Sequence, residues 1–164
     1  MDQQLLENAG GFSRALMRIP VPWVFVLAYL AGAGLEALCF QSHFFSATPL
    51  LSEIGGLFFL AGAALAAWGW LLFRKARTTR VPGQASSAMV TWGPYRFTRN
   101  PMYLGLTIAY LGEAGILRQL WPVLLLPFVL VYLNRIVIPV EEEKLRQVFG
   151  TRYEEYQHRV GRWW

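Results

Sequence analysis

The chain has few of the residues that build disulfide frameworks and metal centres. Its 164 residues include one cysteine, Cys39, and two histidines, His43 and His158. A single cysteine excludes an internal disulfide, and the lone thiol is interpreted as a small buried hydrophobe. Neither histidine has the spacing of a metal site, so we predict no bound metal.

Charge is also scarce. Only 15% of the residues are charged, 55% are hydrophobic, and the mean hydropathy is +0.34, outside the range of ordinary soluble domains. A transmembrane helix needs about 20 apolar residues. Four stretches approach that length and predict an all-α integral membrane protein with about four transmembrane helices: Pro22 to Phe40, Leu51 to Phe73, Met102 to Leu117 and Leu120 to Val140.

The basic residues predict how these helices are oriented. With four spans, the arginines and lysines before the first, after the second and after the fourth fall on one side, which the positive-inside rule makes cytoplasmic. The net charge of +5 is therefore interpreted as topology and attraction to membrane lipids rather than as a nucleic-acid footprint. We predict a multi-pass protein with both termini in the cytoplasm, in the inner membrane if the host is bacterial.

The chain is interpreted as a single domain, residues 1–164. Pro82-Gly83 and Trp92-Gly93-Pro94 break helical periodicity, while apolar residues after Pro139 recur on one face only, as in an interfacial helix that bends at Gly150. The predicted parts are an interfacial N-terminal segment (1–20), a helical hairpin (22–73), a cytoplasmic loop (74–100), a second helical hairpin (101–140) and a C-terminal segment (141–164) that closes over the inner mouth of the bundle.

Two motifs flank the second hairpin. The first runs from Gly93 to Gly105 as G-P-Y-R-F-T-R-N-P-M-Y-L-G, and the second begins at Glu141-Glu142 and continues through Phe149-Gly150 to Arg162. Together they resemble the signatures of the integral-membrane methyltransferases of the isoprenylcysteine carboxyl methyltransferase and phospholipid methyltransferase superfamily. The resemblance covers roughly residues 88 to 162. Many members have histidine where this chain has Asn100, so no imidazole is available there for proton transfer.

The resemblance implies that S-adenosylmethionine is the cofactor. A pocket for that molecule needs an acid for its ammonium group, aromatic faces, backbone donors and an apolar slot. Carried onto this chain, the family pattern implies a set of cofactor-contacting residues in the two motifs and just before the first. These are Ala88, Met89, Val90, Tyr95, Asn100, Pro101, Met102, Tyr103 and Glu141, with Gly105 and Glu142 as second choices.

Two classes of methyl acceptor are compatible with the sequence. The resemblance implies a lipophilic small-molecule or lipidated substrate that enters from the bilayer. An isoprenylcysteine-type carboxylate is already a nucleophile, and Arg99 or Arg135 would orient it by a bidentate contact. A phospholipid amine must first lose a proton, which would require Glu141, Glu142 or Glu113.

A hypothesis of another class is a small four-span exporter. Glu36 or Glu113, acids at or within predicted spans, would then be the coupling acid. This alternative accounts for the length and topology of the chain. It does not account for the motif-rich loop or for the acidic amphipathic segment near the C-terminus.

Overall fold

The computed structural model describes residues 20–39, 49–78 and 89–164, and within these ranges it contains helices and no strand. The predicted all-α fold class is therefore confirmed. A 3-10 helix (Gly93–Arg96) precedes the third α-helix, and a π-helix (Leu133–Val137) joins the fourth to the fifth. The described α-helices are α1 (Val21–Cys39), α2 (Pro49–Thr78), α3 (Pro101–Leu117), α4 (Trp121–Tyr132), α5 (Ile138–Phe149) and α6 (Thr151–Arg159).

Three helical stretches in the described part of the chain are long and apolar enough to cross a membrane. They are Val21–Leu38, Pro49–Ala76 and Trp121–Phe149, the last running without a break through α4, the π-helix and α5. Helix α3 has 17 residues, a length of about 26 Å at the usual rise per residue. That is shorter than a hydrocarbon core of ~30 Å, so the predicted count of four spans is not confirmed.

Large apolar side chains cover the outside of these helices. Leu57 of α2 is 69% exposed and Phe128 of α4 is 73% exposed. A soluble protein rarely exposes apolar patches of this extent, whereas lipid tails solvate them at no cost. The described helices therefore have the surface of a membrane protein. Other exposed apolar residues include Leu27, Leu30, Leu60, Trp68, Trp70, Leu124 and Val131.

Helices α2 and α3 pack backbone against backbone along a line of glycines. A Cβ added at Gly62 would lie 2.3 Å from the Ala109 nitrogen, and one added at Gly105 would lie 2.5 Å from the Ala66 nitrogen. Gly55 of α2 and Gly112 of α3 extend the same contact by one heptad. Small residues at such positions allow close approach, which drives helix association in membranes where hydrophobic burial cannot. We call this contact the glycine seam.

Helix α1 packs against α4 and caps its first turn. The Glu36 carboxylate accepts hydrogen bonds from the backbone N–H groups of Leu120 and Trp121, both at 3.1 Å. The first N–H groups of a helix have no partner inside the helix, and a negative charge there is favoured by the helix dipole. The structure therefore gives Glu36 a capping position that sequence patterns did not reveal.

Replacing Glu36 with alanine is expected to destabilise the α1–α4 contact by about 1 kcal/mol, the usual effect of losing a helix cap. Thermal unfolding of the purified protein in detergent measures the loss. The matched control is Glu53→Ala, which removes an exposed acid from α2. Equal melting temperatures for the two variants would contradict the capping role.

The connection between α2 and α3 is shorter than the apolar pattern predicted. Helix α2 continues to Thr78, past the predicted end of its span at Phe73, because arginine and lysine are good helix formers that extend a helix beyond the bilayer. The predicted start at Pro101 and the predicted bend at Gly150 are both confirmed; Gly150 has a φ of 54° and separates α5 from α6. The predicted interfacial segment, residues 1–20, lies outside the described residues except for Pro20.

Candidate active site

The first motif places two of its side chains in one cavity. Pro101 occupies the first turn of α3, where its missing N–H leaves no hydrogen bond unmade. Met102 and Tyr103 follow and line a cavity of about 540 Å³. Glu141, from the second motif, lines the same cavity, and the Tyr103 hydroxyl donates a hydrogen bond of 2.7 Å to its Oε1. The two motifs therefore meet at this bond.

The walls of this larger cavity come from the ends of several helices that lie close together. The start of α1, the end of α2, the start of α3 and the junction of the π-helix with α5 all contribute. The lining is mainly apolar, with Arg74, Glu141 and Lys144 as its charged members. Such a chamber suits a ligand with an apolar chain and a small polar group. Its other lining residues are Pro20, Val21, Pro22, Trp70, Phe73, Leu106, Tyr132, Val137 and Val140.

A second, smaller cavity of about 230 Å³ lies beside the first. Met89, Val90 and Tyr95 line it from the loop, and Arg99 is also in its wall. Aromatic and apolar residues of the C-terminal helices close the opposite side: Leu145, Val148, Phe149, Tyr153 and Tyr156. Phe73 and Lys144 line both cavities, so the two chambers share a boundary.

Two hydrogen bonds of Tyr95, one from its side chain and one to its backbone, hold the loop that lines the smaller cavity. The Tyr95 hydroxyl donates to the Gly69 carbonyl of α2 at 3.3 Å, and the Tyr95 carbonyl accepts from the Tyr156 hydroxyl at 2.7 Å. Burial, helped by the nearby Glu141 carboxylate, raises the pKa of Tyr95 to about 12. Tyr95 is therefore a neutral hydrogen-bond donor and an aromatic wall, not a base at neutral pH.

Glu142 is held by two arginines. Its Oε1 lies 2.8 Å from Arg99 Nη1, and Arg162 donates two hydrogen bonds to it, at 3.0 Å from Nε and 2.6 Å from Nη2. The Glu142 side chain is only 9% exposed and that of Arg99 13%. The hydrogen bond to Glu142 raises the pKa of Arg162. We call these three residues the Glu142 triad.

A short C-terminal segment ties the first motif to this triad. The Arg162 carbonyl accepts from Thr98 Oγ1 at 2.9 Å and from Asn100 Nδ2 at 3.1 Å, while the Gly161 carbonyl accepts from the Arg99 N–H at 2.9 Å. The next residue, Trp163, donates from its indole to Asn134 of the π-helix at 3.0 Å. We call Gly161 to Trp163 the C-terminal strap.

The structure thus divides the predicted cofactor residues between two cavities and a scaffold. Met89, Val90 and Tyr95 lie at the smaller cavity, and Met102, Tyr103 and Glu141 at the larger. Four others have scaffold positions: Asn100 bonds to the strap, Glu142 belongs to the triad, Pro101 begins α3 and Gly105 lies in the glycine seam. Ala88 lies outside the described residues.

The two predicted catalytic arginines lie in different surroundings. Arg99 is in the wall of the smaller cavity and engages Glu142, whereas Arg135 is exposed in the π-helix and lines neither cavity. The sequence did not single out Lys144 or Phe73, which lie where the cavities meet. Lys144 follows Glu141 by three residues, about one helical turn, and this spacing could have indicated that the two side chains lie on the same face of the helix.

Comparison with known proteins identifies the family of the chain. No curated protein matches the chain at a significant level. The sequence pattern of the family described as "Phospholipid methyltransferase" matches residues 51–152, more than half of the chain, from α2 to the start of α6. The match includes Tyr103, Glu141 and the complete first motif. The chain is therefore a membrane protein of the phospholipid methyltransferase family.

Proposed function

We propose that the protein transfers a methyl group from S-adenosylmethionine to a lipophilic acceptor bound in the larger cavity. The observation that carries the proposal is the Tyr103–Glu141 hydrogen bond in the wall of that cavity, beside a smaller cavity with aromatic walls, in a chain of this family. A methyltransferase needs both a donor site and an acceptor site, and two adjoining chambers supply them.

The residues of the two cavities fit the cofactor's chemical groups. Tyr95, Phe149 and Val90 would hold the adenine ring in the smaller cavity, and Glu141 would pair with the ammonium group. At about 230 Å³, the smaller cavity is below the roughly 300–1,000 Å³ that ligand pockets usually have. S-adenosylmethionine would therefore have to extend from the smaller cavity past the shared boundary toward Glu141. When bound, S-adenosylmethionine supplies an electrophilic methyl group on a sulfonium centre.

The protein's own contribution is mainly to position the reactants. Tyr103 fixes one oxygen of Glu141, and the apolar walls, among them Leu106 and Val137, would surround the lipophilic part of the acceptor. Holding two reactants in the productive geometry is worth as much as about 7–11 kcal/mol of the barrier. No strong base is required if the acceptor is already ionised.

The geometry favours a carboxylate acceptor of the isoprenylcysteine type over an amine. Among the described residues, Glu141 is the one carboxylate that lines either cavity, and it already accepts a hydrogen bond from Tyr103. Methylation of a carboxylate oxygen needs no proton removal, whereas an ammonium group must lose a proton first. Of the two cavities, Arg99 lines only the smaller, and it pairs with Glu142, so it could orient the carboxylate only where the acceptor reaches the shared boundary. A phospholipid amine is the second candidate because the matching family is described by phospholipid methylation.

One contact weighs against the exporter alternative. Glu36, one of its two proposed coupling acids, is engaged with the start of α4. We propose that the cavities open to the cytoplasm, because the helix ends that form them carry the basic residues Arg74, Arg99 and Lys144.

The first test is calorimetric titration of the detergent-purified protein with S-adenosylhomocysteine, the demethylated cofactor. Glu141→Ala should weaken binding by about tenfold or more, since a hydrogen bond to a charged group contributes about 1.5–3 kcal/mol. Tyr103→Phe, which keeps the ring but frees Glu141, should weaken binding less. Glu155→Ala, an exposed acid on α6, is the control. Unchanged affinity in both cavity variants would contradict the proposed cofactor site.

The acceptor is then identified by the chemistry of the product. Radiolabelled S-adenosylmethionine is incubated with membranes containing a farnesylated cysteine carboxylate or phosphatidylethanolamine. A methyl ester releases labelled methanol in base, whereas an N-methyl group does not. Base-labile product from the first substrate supports carboxylate methylation, and base-stable product from the second supports the amine alternative.

A further inference from the structure

Lys144 lies at the boundary of the two cavities. It is on α5, one turn after Glu141, and contributes to the walls of both chambers, as Phe73 does from α2. Phe73 is apolar, so Lys144 is the charged side chain that both described cavities share. A ligand that extends from one chamber into the other must pass it.

The other cations of the two cavities are engaged. Arg99 pairs with Glu142 at 2.8 Å, and the Arg74 guanidinium lies over the Trp70 ring at 4.8 Å from its centre. Lys144 makes neither a hydrogen bond nor a salt bridge with any residue in the described ranges. Its ammonium is attracted over a longer distance by the carboxylate of Glu141, which accepts a hydrogen bond from Tyr103.

We propose that Lys144 is a specificity-determining residue that binds an anionic group, a carboxylate or a phosphate, at the boundary of the cavities. The identity of the ligand that brings this anion rests on the proposed function. The ammonium has three donors on a flexible four-carbon stem, which allows it to follow a charge into either chamber. The Lys144 side chain is exposed, which leaves its ammonium accessible to a ligand.

Both reactants of the proposed reaction can carry an anionic group. One is S-adenosylmethionine, through its α-carboxylate, and the other is the acceptor, through a carboxylate or a phosphate. In the first case Lys144 selects the donor, and in the second it selects the acceptor. Both sources require a cation where the chambers meet, and the experiment separates them.

The experiment measures charge preference in matched ligand pairs by calorimetry on the detergent-purified protein. One pair is S-adenosylhomocysteine and its decarboxylated counterpart; the other is oleic acid and oleyl alcohol. Lys144→Met is compared with wild type, with Lys144→Arg, which keeps the charge, and with Arg152→Met, which removes an exposed cation from α6. Wild-type protein should prefer the anionic member of at least one pair by about tenfold.

The proposal predicts that Lys144→Met abolishes that preference, that Lys144→Arg largely retains it, and that Arg152→Met leaves it unchanged. Loss in the nucleoside pair assigns the anion to the cofactor, and loss in the oleyl pair assigns it to the acceptor. If Lys144 only balances Glu141, the substitution will change affinity equally for both members of each pair, which overturns the proposal. Unchanged affinities overturn it as well.

The oleyl pair also keeps this proposal separate from the proposed function. Wild-type protein that binds neither nucleoside contradicts the use of S-adenosylmethionine. The response of oleate binding to Lys144→Met still decides whether Lys144 binds an anion in that case.

Discussion

Gly62→Leu should prevent α2 and α3 from packing and is expected to destabilise the protein by about 3 kcal/mol or more, the upper part of the range for overpacking. The reason is that a Cβ at residue 62 meets the Ala109 nitrogen at 2.3 Å. That atom belongs to the backbone, so no rotamer change relieves the clash. The helices must separate along the glycine seam, which also displaces the start of α3 and with it Tyr103.

The same helix provides a matched control. Gly56 lies six residues earlier on α2, and a Cβ added there meets nothing within 4 Å. Gly56→Leu should therefore fold normally and melt close to wild type, while Gly62→Leu loses folded protein by size-exclusion chromatography and has a lower melting temperature. Similar behaviour of the two leucine variants would show that the seam does not hold the helices together.

Glu142→Ala is expected to cost about 3 kcal/mol, the lower part of the range for breaking a buried ion pair, because it leaves Arg99 with no compensating charge. Arg162, whose side chain is 37% exposed, can turn toward water and limits the loss. The effect should be concentrated at the site. Hydrogen exchange should accelerate in residues 89–100, because the strap loses its guanidinium anchor, and melting should occur at lower temperature.

The neighbouring acid is the control for this substitution. Glu143 pairs with Arg146 on the surface, where both side chains are more than 40% exposed. Such pairs contribute about 0–1 kcal/mol, so Glu143→Ala should leave stability and hydrogen exchange near wild-type values. If Glu142→Ala and Glu143→Ala gave the same exchange rates, the triad would not be what holds the loop.

Local patterns predicted the elements of this fold well. The apolar runs located the helices, Pro101 marked the start of α3, and Gly150 marked the break between α5 and α6. These features depend on residues within one or two turns of each other. The extension of α2 to Thr78 was missed because hydropathy reports where a bilayer ends, and a helix continues beyond it when the next residues favour helix.

The site was predicted less completely because its contacts join distant parts of the chain. The motifs identified Tyr103 and Glu141, and the structure brings these two together. The position of Glu142 depends on Arg162, and that of Asn100 on the Arg162 carbonyl, so both require the path of the strap. Periodicity carries no information on that path. The cofactor roles of these two residues stay predictions.

The C-terminal strap has a consequence for the order in which the protein is made. Residues Thr98 and Asn100 are synthesised early, yet the carbonyl that receives their side-chain hydrogen bonds follows them by 64 and 62 positions. During translation the earlier helices can enter the membrane and pair while the first motif still lacks this partner. The region around the first motif is therefore completed only after residues 161–163 have been added, so a chain that stalls before them would insert with Thr98 and Asn100 lacking this partner.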